Sequence, residues 1–183
     1  MPPRVTTILE TGRLRLREFT PHDLDELAAL VGDPEQMTFY PRPKTREEAA
    51  AWIERNLALY RKRGYGIWAI ELTGGGRALA GYCGIRPLEL DDGTREIEIG
   101  WHLHKRLWGE GLASEAAAAV RDLAFGRFGV PRLVAIIVPE HLASRRVADR
   151  LGMREERTAS FEGDRVVVYV IAPRAVHHRE RSP

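Results

Sequence analysis

Two glycines, Gly109 and Gly111, stand one residue apart in the stretch HKRLWGEGLASEA, three residues after Arg106 and just before an alanine-rich run with helical periodicity. The N-terminus of a helix presents free backbone N–H groups and the positive end of the helix dipole. Glycine lets those groups approach an anion without a Cβ atom in the way. The spacing R-x-x-G-x-G therefore indicates an anion site, with a tight turn that binds nothing as the alternative.

The anion that suits this stretch is a pyrophosphate bound without a metal. The sequence contains no G-x-x-x-x-G-K-[ST] motif, and GEGLAS lacks the third glycine of a dinucleotide-binding turn. Several N–H hydrogen bonds, at about 1.5–3 kcal/mol each, are enough to hold such a group. Because no cluster of acidic residues stands nearby to bind Mg²⁺, we expect no metal site.

Titratable side chains occupy the predicted strand just before the glycines. In REIEIGWHL the apolar residues alternate with Glu98 and His102, which places those two side chains on one face of the strand. His104 follows directly. The lone cysteine, Cys83, lies in an apolar strand with no neighbouring base, which indicates a core position and excludes an internal disulfide framework.

Composition is that of an ordinary globular domain. The chain has 183 residues, of which 44% are hydrophobic and 30% charged, and its net charge is +2. Basic and acidic residues are interleaved, so we expect no nucleic-acid partner. The sequence has neither a secretory leader nor an apolar run approaching the ~18 residues of a membrane span. We therefore expect a cytoplasmic protein with no membrane partner.

Periodicity predicts the element order βααβββαβαβ within one domain, 1–183, with a core at about 10–171 and a flexible tail at 172–183. The second helix has the clearest ends: Thr45 and Glu48 form a capping box, and Gly64 terminates it. The predicted fold class is α/β (α+β), with a mixed central sheet and helices on both faces.

Six segments occur in an order that resembles the GNAT superfamily of N-acetyltransferases, in its ribosomal-protein-acetyltransferase-like branch. They span roughly residues 10–171 and read TGRLRLREFTPHDLDEL, GDPEQMTFY, TREEAAAWIERN, EIEIGWHL, RLWGEGLASEA and PEHLASRRVADRLGM. The resemblance implies the GNAT fold, in which a splayed pair of strands admits the pantetheine arm of acetyl-CoA. Here those strands would match 97–103 and 133–138.

The resemblance also implies where the cofactor lies. Backbone partners for the pantetheine arm would come from Trp101, His102 and Leu103. The pyrophosphate would be surrounded by Arg106, Leu107, Trp108, Gly109, Glu110, Gly111, Leu112, Ala113 and Ser114, with the Glu110 side chain turned to solvent. The family's second cofactor motif usually has an asparagine where this chain has His141, which can donate and accept only through different nitrogens of one tautomer.

The implied reaction is attack of a primary amine on the acetyl thioester, in a ternary complex. The amine must be neutral to attack, so a base is needed. Glu98 is the first candidate, with an arginine-paired surface carboxylate as the alternative, and His102 and His104 are the next candidates. Ser144 matches the serine that would serve the thiol leaving group, and it also suits the first turn of a helix.

The acceptor pocket implied by the resemblance lies around the two early helices. Its candidate wall residues are Phe39, Tyr40, Trp52 and Trp68, for each of which core packing is the alternative. The acceptor that the family suggests first is the N-terminal α-amine of a protein, with small amines and aminoglycosides as the alternatives. Two functions of other classes are the alternatives: a CoA-binding module without catalysis and a dinucleotide-dependent oxidoreductase. The sequence does not distinguish a monomer from a homodimer.

Overall fold

A computed structural model describes residues 6–173; the remainder of the predicted tail lies outside the described residues. These residues form one sheet with the strand order β1-β2-β3-β4-β5-β6-β8-β7. In chain order the elements are β1 Thr7–Glu10, β2 Leu14–Arg17, a 3₁₀ turn Pro21–Asp23, α1 Leu24–Gly32, α2 Arg46–Arg63, β3 Ile67–Leu72, β4 Leu79–Glu89, β5 Arg95–Leu103, a 3₁₀ turn Lys105–Leu107, α3 Leu112–Gly126, β6 Leu133–Ile137, α4 Leu142–Arg150, β7 Arg154–Phe161 and β8 Asp164–Ile171.

The caps predicted for α2 are confirmed. The Glu48 N–H donates to the Thr45 hydroxyl at 3.2 Å, and the Thr45 N–H donates to the Glu48 carboxylate at 2.8 Å. Gly64 ends the helix with φ of +74°, a left-handed conformation that favours glycine. These caps fix the helix that forms one wall of the site described below.

Two strands, β1 and β7, are absent from the predicted order. Strand β1 is four residues long and lies at the sheet edge, so it offers little periodicity to detect. Strand β7 reads REERTASF and none of its residues is buried, so it lacks the apolar alternation of a half-buried strand. It forms because β8 supplies a complete antiparallel partner.

Helices pack on both faces of the sheet, as predicted. On one face α3 buries Leu112, Ala116 and Val120 in a cluster that also contains Trp68 and Ile99. On the other face α1 and the first half of α2 pack against a second cluster with the β3 residue Ala69. Successive β3 side chains thus enter different cores.

The predicted gap between the strands at 97–103 and 133–138 is present. Strands β5 and β6 run parallel and pair at Glu98 and Val134, whereas β4 and β5 pair continuously from Gly81–Leu103 to Glu89–Arg95. Beyond Glu98 the two parallel strands diverge. Their carboxyl ends therefore leave an opening that faces the N-termini of α3 and α4.

No helix among residues 6–173 is both long enough and apolar enough to cross a membrane.

Candidate functional site

Two cavities lie on either side of the opening between β5 and β6. The larger has a volume of about 430 Å³ and the smaller about 170 Å³. Both are lined by Trp101, His141 and Ser144. The cavities therefore meet where β5 and the start of α4 face each other.

The glycine pair forms one edge of the smaller cavity. Gly109 has φ of +82° and Gly111 has φ of +78°, both left-handed, and Gly111 is the N-cap of α3. Within residues 6–173, no acceptor takes the N–H groups of residues 111–114. The loop therefore presents a row of free donors to the cavity, as the sequence predicts for an anion site.

An ion pair from Arg13, the residue just before β2, holds this loop in place. The Arg13 guanidinium lies 2.6 Å from the Glu115 carboxylate in the first turn of α3, and it also donates to the Glu110 carbonyl at 3.0 Å. The same carboxylate accepts the Thr11 hydroxyl at 2.6 Å. This support was not predicted, because Arg13 and Glu115 are 102 positions apart in the chain.

Most residues predicted to bind the cofactor do line the smaller cavity, namely Trp101, His102, Leu103, Leu107, Trp108, Gly109, Gly111, Leu112, Ala113, Ser114, His141 and Ser144. Arg106 and Glu110 do not line it, and both are exposed. The 3₁₀ turn before the glycines directs Arg106 to solvent. Two cations that were not predicted, Arg146 and Arg150, line the cavity instead and lie on one face of α4. Their i, i+4 spacing in the sequence could have indicated that they share this face.

Two polar contacts shape the smaller cavity. The Trp108 indole N–H donates to the Leu103 carbonyl at 2.8 Å, so that carbonyl already has a partner. The Ser114 hydroxyl is buried and has no partner among residues 6–173. A buried hydroxyl normally has a hydrogen-bond partner, so this orphan marks a place for a polar ligand atom.

Aromatic rings close the larger cavity. The Phe39 ring stacks on His141 with centroids 4.0 Å apart, and the Tyr40 hydroxyl lies 3.2 Å from His102 Nδ1. The Trp52 ring of α2 lies 5.2 Å from Tyr82. Three of the four predicted wall residues, Phe39, Tyr40 and Trp52, therefore line this cavity.

Trp68 is the exception, and its predicted place is corrected. The side chain is 0% exposed, lies in the α3-side cluster and borders neither cavity. Both neighbours of Trp68 on β3 are buried as well. The usual in-and-out alternation was therefore missing, and the sequence did not show which face the indole takes.

Glu98 lies in the wall of the larger cavity, buried and paired. Its Oε2 accepts a hydrogen bond from Arg86 Nε at 2.6 Å. Pairing with an arginine was the alternative to a catalytic role for this residue. Its Oε1 has no donor among residues 6–173. Burial raises the pKa of Glu98 and Arg86 opposes that shift. The carboxylate therefore keeps one oxygen available to the cavity.

His102 is buried beneath the aromatic rings of the larger cavity. Its ring stacks on Tyr82 at 5.2 Å, and its Nε2 has no partner among residues 6–173. Burial lowers the pKa of His102 to about 4. The ring is therefore neutral at neutral pH and can accept the Tyr40 hydroxyl through Nδ1.

This burial makes stability depend on pH. The pKa of His102 is about 4 in the folded chain against 6.5 ordinarily, so the unfolded chain binds the proton more tightly. The contribution of His102 to the free energy of unfolding is therefore fully present above pH ~6.5 and is lost as pH falls toward ~4. We predict that the melting temperature of the His102→Gln variant falls less between pH 7 and pH 4 than that of the unmodified chain. Thermal denaturation of both proteins across this pH range measures the difference. An equal fall in both proteins would contradict the assignment.

His141 and Ser144 stand where the two cavities meet. The Ser144 hydroxyl lies 3.3 Å from His141 Nε2, and burial lowers the pKa of His141 to about 4. The neutral imidazole thus presents one nitrogen to Ser144. Ser144 is in the first turn of α4 and borders both cavities.

The two remaining candidates lie elsewhere. His104 is half-buried and borders neither cavity, and burial with the nearby Arg106 charge lowers its pKa. Cys83 is fully buried in the α3-side cluster, and burial raises the pKa of its thiol, as a core position requires. Neither side chain is placed to act in the cavities.

Several residues of the larger cavity were not predicted, and those that matter here are Tyr82, Arg86, Phe161, Glu162 and Asp164. Tyr82 and Arg86 face His102 and Glu98 across the β4–β5 ladder, so pairing the two strands would have found them. The others come from the β7–β8 hairpin: Phe161 ends β7, Asp164 begins β8, and Glu162, in the turn between them, has φ of +52°. That turn follows the undetected strand β7.

No group of three or more His, Cys, Asp or Glu side chains within residues 6–173 is placed to hold a metal ion.

Comparison with known proteins identifies the family. The Acetyltransferase (GNAT) domain profile matches residues 13–154. The uncharacterized protein YkkB of Bacillus subtilis is 34% identical over 164 residues, which cover 89% of this chain and 94% of YkkB. The match includes the glycine loop and the start of α4.

Solved structures agree on the fold. An acetyltransferase from Agrobacterium tumefaciens is 29% identical and superposes with a TM-score of 0.79 over 90% of this chain and 94% of its own. RimL, an alpha-N-protein acetyltransferase solved in complex with coenzyme A, is 22% identical with a TM-score of 0.74 over 91% and 97%. The predicted fold class and membership of the GNAT family are thereby confirmed.

Proposed function

The chain belongs to the GNAT acetyltransferase family and is an acetyltransferase, and on that premise we propose that it transfers an acetyl group from acetyl-CoA to a primary amine within a ternary complex. The observation that carries this proposal is the junction of two unlike cavities at the β5–β6 opening. One cavity offers backbone donors and cations, and the other offers aromatic rings and a buried carboxylate. Donor and acceptor would meet at Trp101, His141 and Ser144.

The residues of the smaller cavity fit coenzyme A. The free N–H groups of residues 111–114 and the cations Arg146 and Arg150 suit a pyrophosphate. The orphaned Ser114 hydroxyl would gain a partner from a ligand oxygen. RimL, which shares the fold, has been solved with coenzyme A. Bound acetyl-CoA would supply the activated acetyl thioester.

Glu98 is the group we assign to proton removal. An alkylammonium has an ordinary pKa near 10.4, so its proton must leave before the nitrogen can attack. Oε1 of Glu98 accepts that proton directly or through a water, while Arg86 holds the carboxylate in position through Oε2. Burial raises the pKa of Glu98, which makes it a stronger base than an exposed glutamate.

Ser144 is the group we assign to the departing thiol. Its hydroxyl borders both cavities and lies 3.3 Å from His141 Nε2. In the tautomer with Nε2 unprotonated, the serine donates to His141; in the other, His141 donates to Ser144 and frees the hydroxyl proton for the sulfur. The second tautomer therefore suits catalysis.

The test is amine-dependent release of thiol from acetyl-CoA. Purified protein is incubated with acetyl-CoA and a set of peptides and small amines, and free thiol is measured with a thiol-reactive dye while mass spectrometry identifies the product. We expect thiol release that requires an amine, together with a product 42 Da heavier, the mass of one acetyl group replacing a proton. Binding of acetyl-CoA without transfer to any amine would favour the non-catalytic CoA-binding module.

A further inference from the structure

Two cations line the α2 side of the larger cavity. Lys44, just before α2, and Arg55, on α2, both line it, and neither forms an ion pair within residues 6–173. The carboxylate on the same wall, Glu48, is already engaged by Arg42 at 2.5 Å. The α2 wall of the cavity therefore carries net positive charge.

The opposite wall carries negative charge. Glu162 and Asp164, from the β7–β8 hairpin, line the cavity and form no ion pair within residues 6–173. Glu162 is close enough to Glu98 and Arg86 for its charge to raise the pKa of both. The acidic wall thus adjoins the carboxylate assigned to proton removal.

Aromatic surface separates the two walls. Trp52 precedes Arg55 by one helical turn and lies 5.2 Å from Tyr82 on β4. Arg86 follows four residues later on the same strand, or roughly 13 Å farther along it at about 3.3 Å per residue. An occupant that touches both charged walls therefore needs an apolar body between its charged ends.

We propose that the acceptor is a small amine whose far end carries an anionic group, with an apolar or aromatic body between the two. This inference rests on the proposed function and narrows its acceptor. The ammonium group enters toward Glu98, Glu162 and Asp164, and the anion is bound by Arg55 and Lys44. A polycation such as an aminoglycoside would place further positive charge against these two cations, which disfavours it.

Matched amines test the charge requirement. The three probes are 4-(aminomethyl)benzoate, the corresponding neutral benzamide and 4-methylbenzylamine, which share the ring and the amine but differ at the far end. We expect kcat/KM for the carboxylate to exceed that for the amide by about tenfold, the size of one charge-assisted contact. Equal or higher values for the uncharged amines overturn the inference while leaving acetyl transfer intact.

Variants locate the contact. Arg55→Gln, alone and combined with Lys44→Gln, should reduce the advantage of the carboxylate over the amide to about twofold or less. Arg63→Gln, at the exposed end of α2 and away from both cavities, is the matched control and should keep the full advantage. An advantage that survives loss of both cations overturns the inference.

Failure of the inference and failure of the proposed function give different results. A protein that binds acetyl-CoA and acetylates peptide N-termini or polyamines, but not 4-(aminomethyl)benzoate, has the proposed function and a different acceptor class. A protein that neither binds acetyl-CoA nor releases thiol with any amine lacks the proposed function itself.

Discussion

Replacement of Gly111 by valine is expected to lower the affinity for acetyl-CoA by at least about 100-fold. Gly111 has φ of +78° at the N-cap of α3, a conformation that a β-branched residue adopts at a cost of about 1–2 kcal/mol. A built Cβ atom meets only the Arg13 guanidinium, at 3.8 Å, so the protein itself leaves room for it. The loss would come from the donors, because relaxing the backbone turns the N–H groups away from the pyrophosphate. Two such contacts are worth about 3–6 kcal/mol.

Calorimetric titration with acetyl-CoA measures the effect, and Gly129→Val is the matched control. Gly129 is also left-handed, with φ of +60°, and a built Cβ atom meets nothing within 4 Å. It lies after α3 and borders neither cavity. The control should lose some stability and keep its affinity. If Gly111→Val binds acetyl-CoA as the unmodified chain does, the glycine loop is not the phosphate site.

Replacement of Glu98 by glutamine is expected to lower kcat by about 10²–10⁴-fold at neutral pH, the usual contribution of a general base. Glutamine keeps the size of the side chain and an oxygen for Arg86, but it cannot take a proton. Affinity for acetyl-CoA should stay within about twofold, because Glu98 borders only the larger cavity. In the unmodified enzyme, activity should fall as pH drops through the raised pKa of Glu98, since the protonated carboxyl cannot accept.

The chain offers a close control for this variant. Glu89 pairs with Arg95 at 2.8 Å across the same two strands, but it is exposed and borders neither cavity. Glu89→Gln therefore removes an equivalent carboxylate–arginine contact without touching the site, and should leave kcat unchanged. If Glu98→Gln also leaves kcat unchanged, Glu98 serves only to pair with Arg86 and the base lies elsewhere.

Local signals in the sequence were reliable where one short segment determines the structure. The capping box at Thr45 and the two glycines before α3 each act within a few residues, and the structure has the conformations they predict. The alternation along β5 likewise placed Glu98 and His102 on one face, where both are buried. These features depend on backbone geometry and capping rather than on distant contacts.

The rest of the site depends on contacts between distant segments. Tyr40 meets His102 across 62 positions, and Arg13 meets Glu115 across 102. Trp68 was assigned to the wrong face of β3 because both faces of that strand are buried. Glu162 was not predicted because β7, the polar strand before it, was not predicted either. Such pairings follow from strand order and register, which a single sequence specifies only weakly.

Titration of the unmodified protein with acetyl-CoA in a calorimeter, with NAD and ATP as controls, tests the central claim most directly. We expect saturable one-to-one binding of acetyl-CoA and far weaker binding of either nucleotide. This expectation rests on the free N–H donors of residues 111–114, the unpartnered Ser114 hydroxyl and the β5–β6 opening. Absence of acetyl-CoA binding, or equal binding of all three, would contradict the account of this site as an acetyl-CoA site.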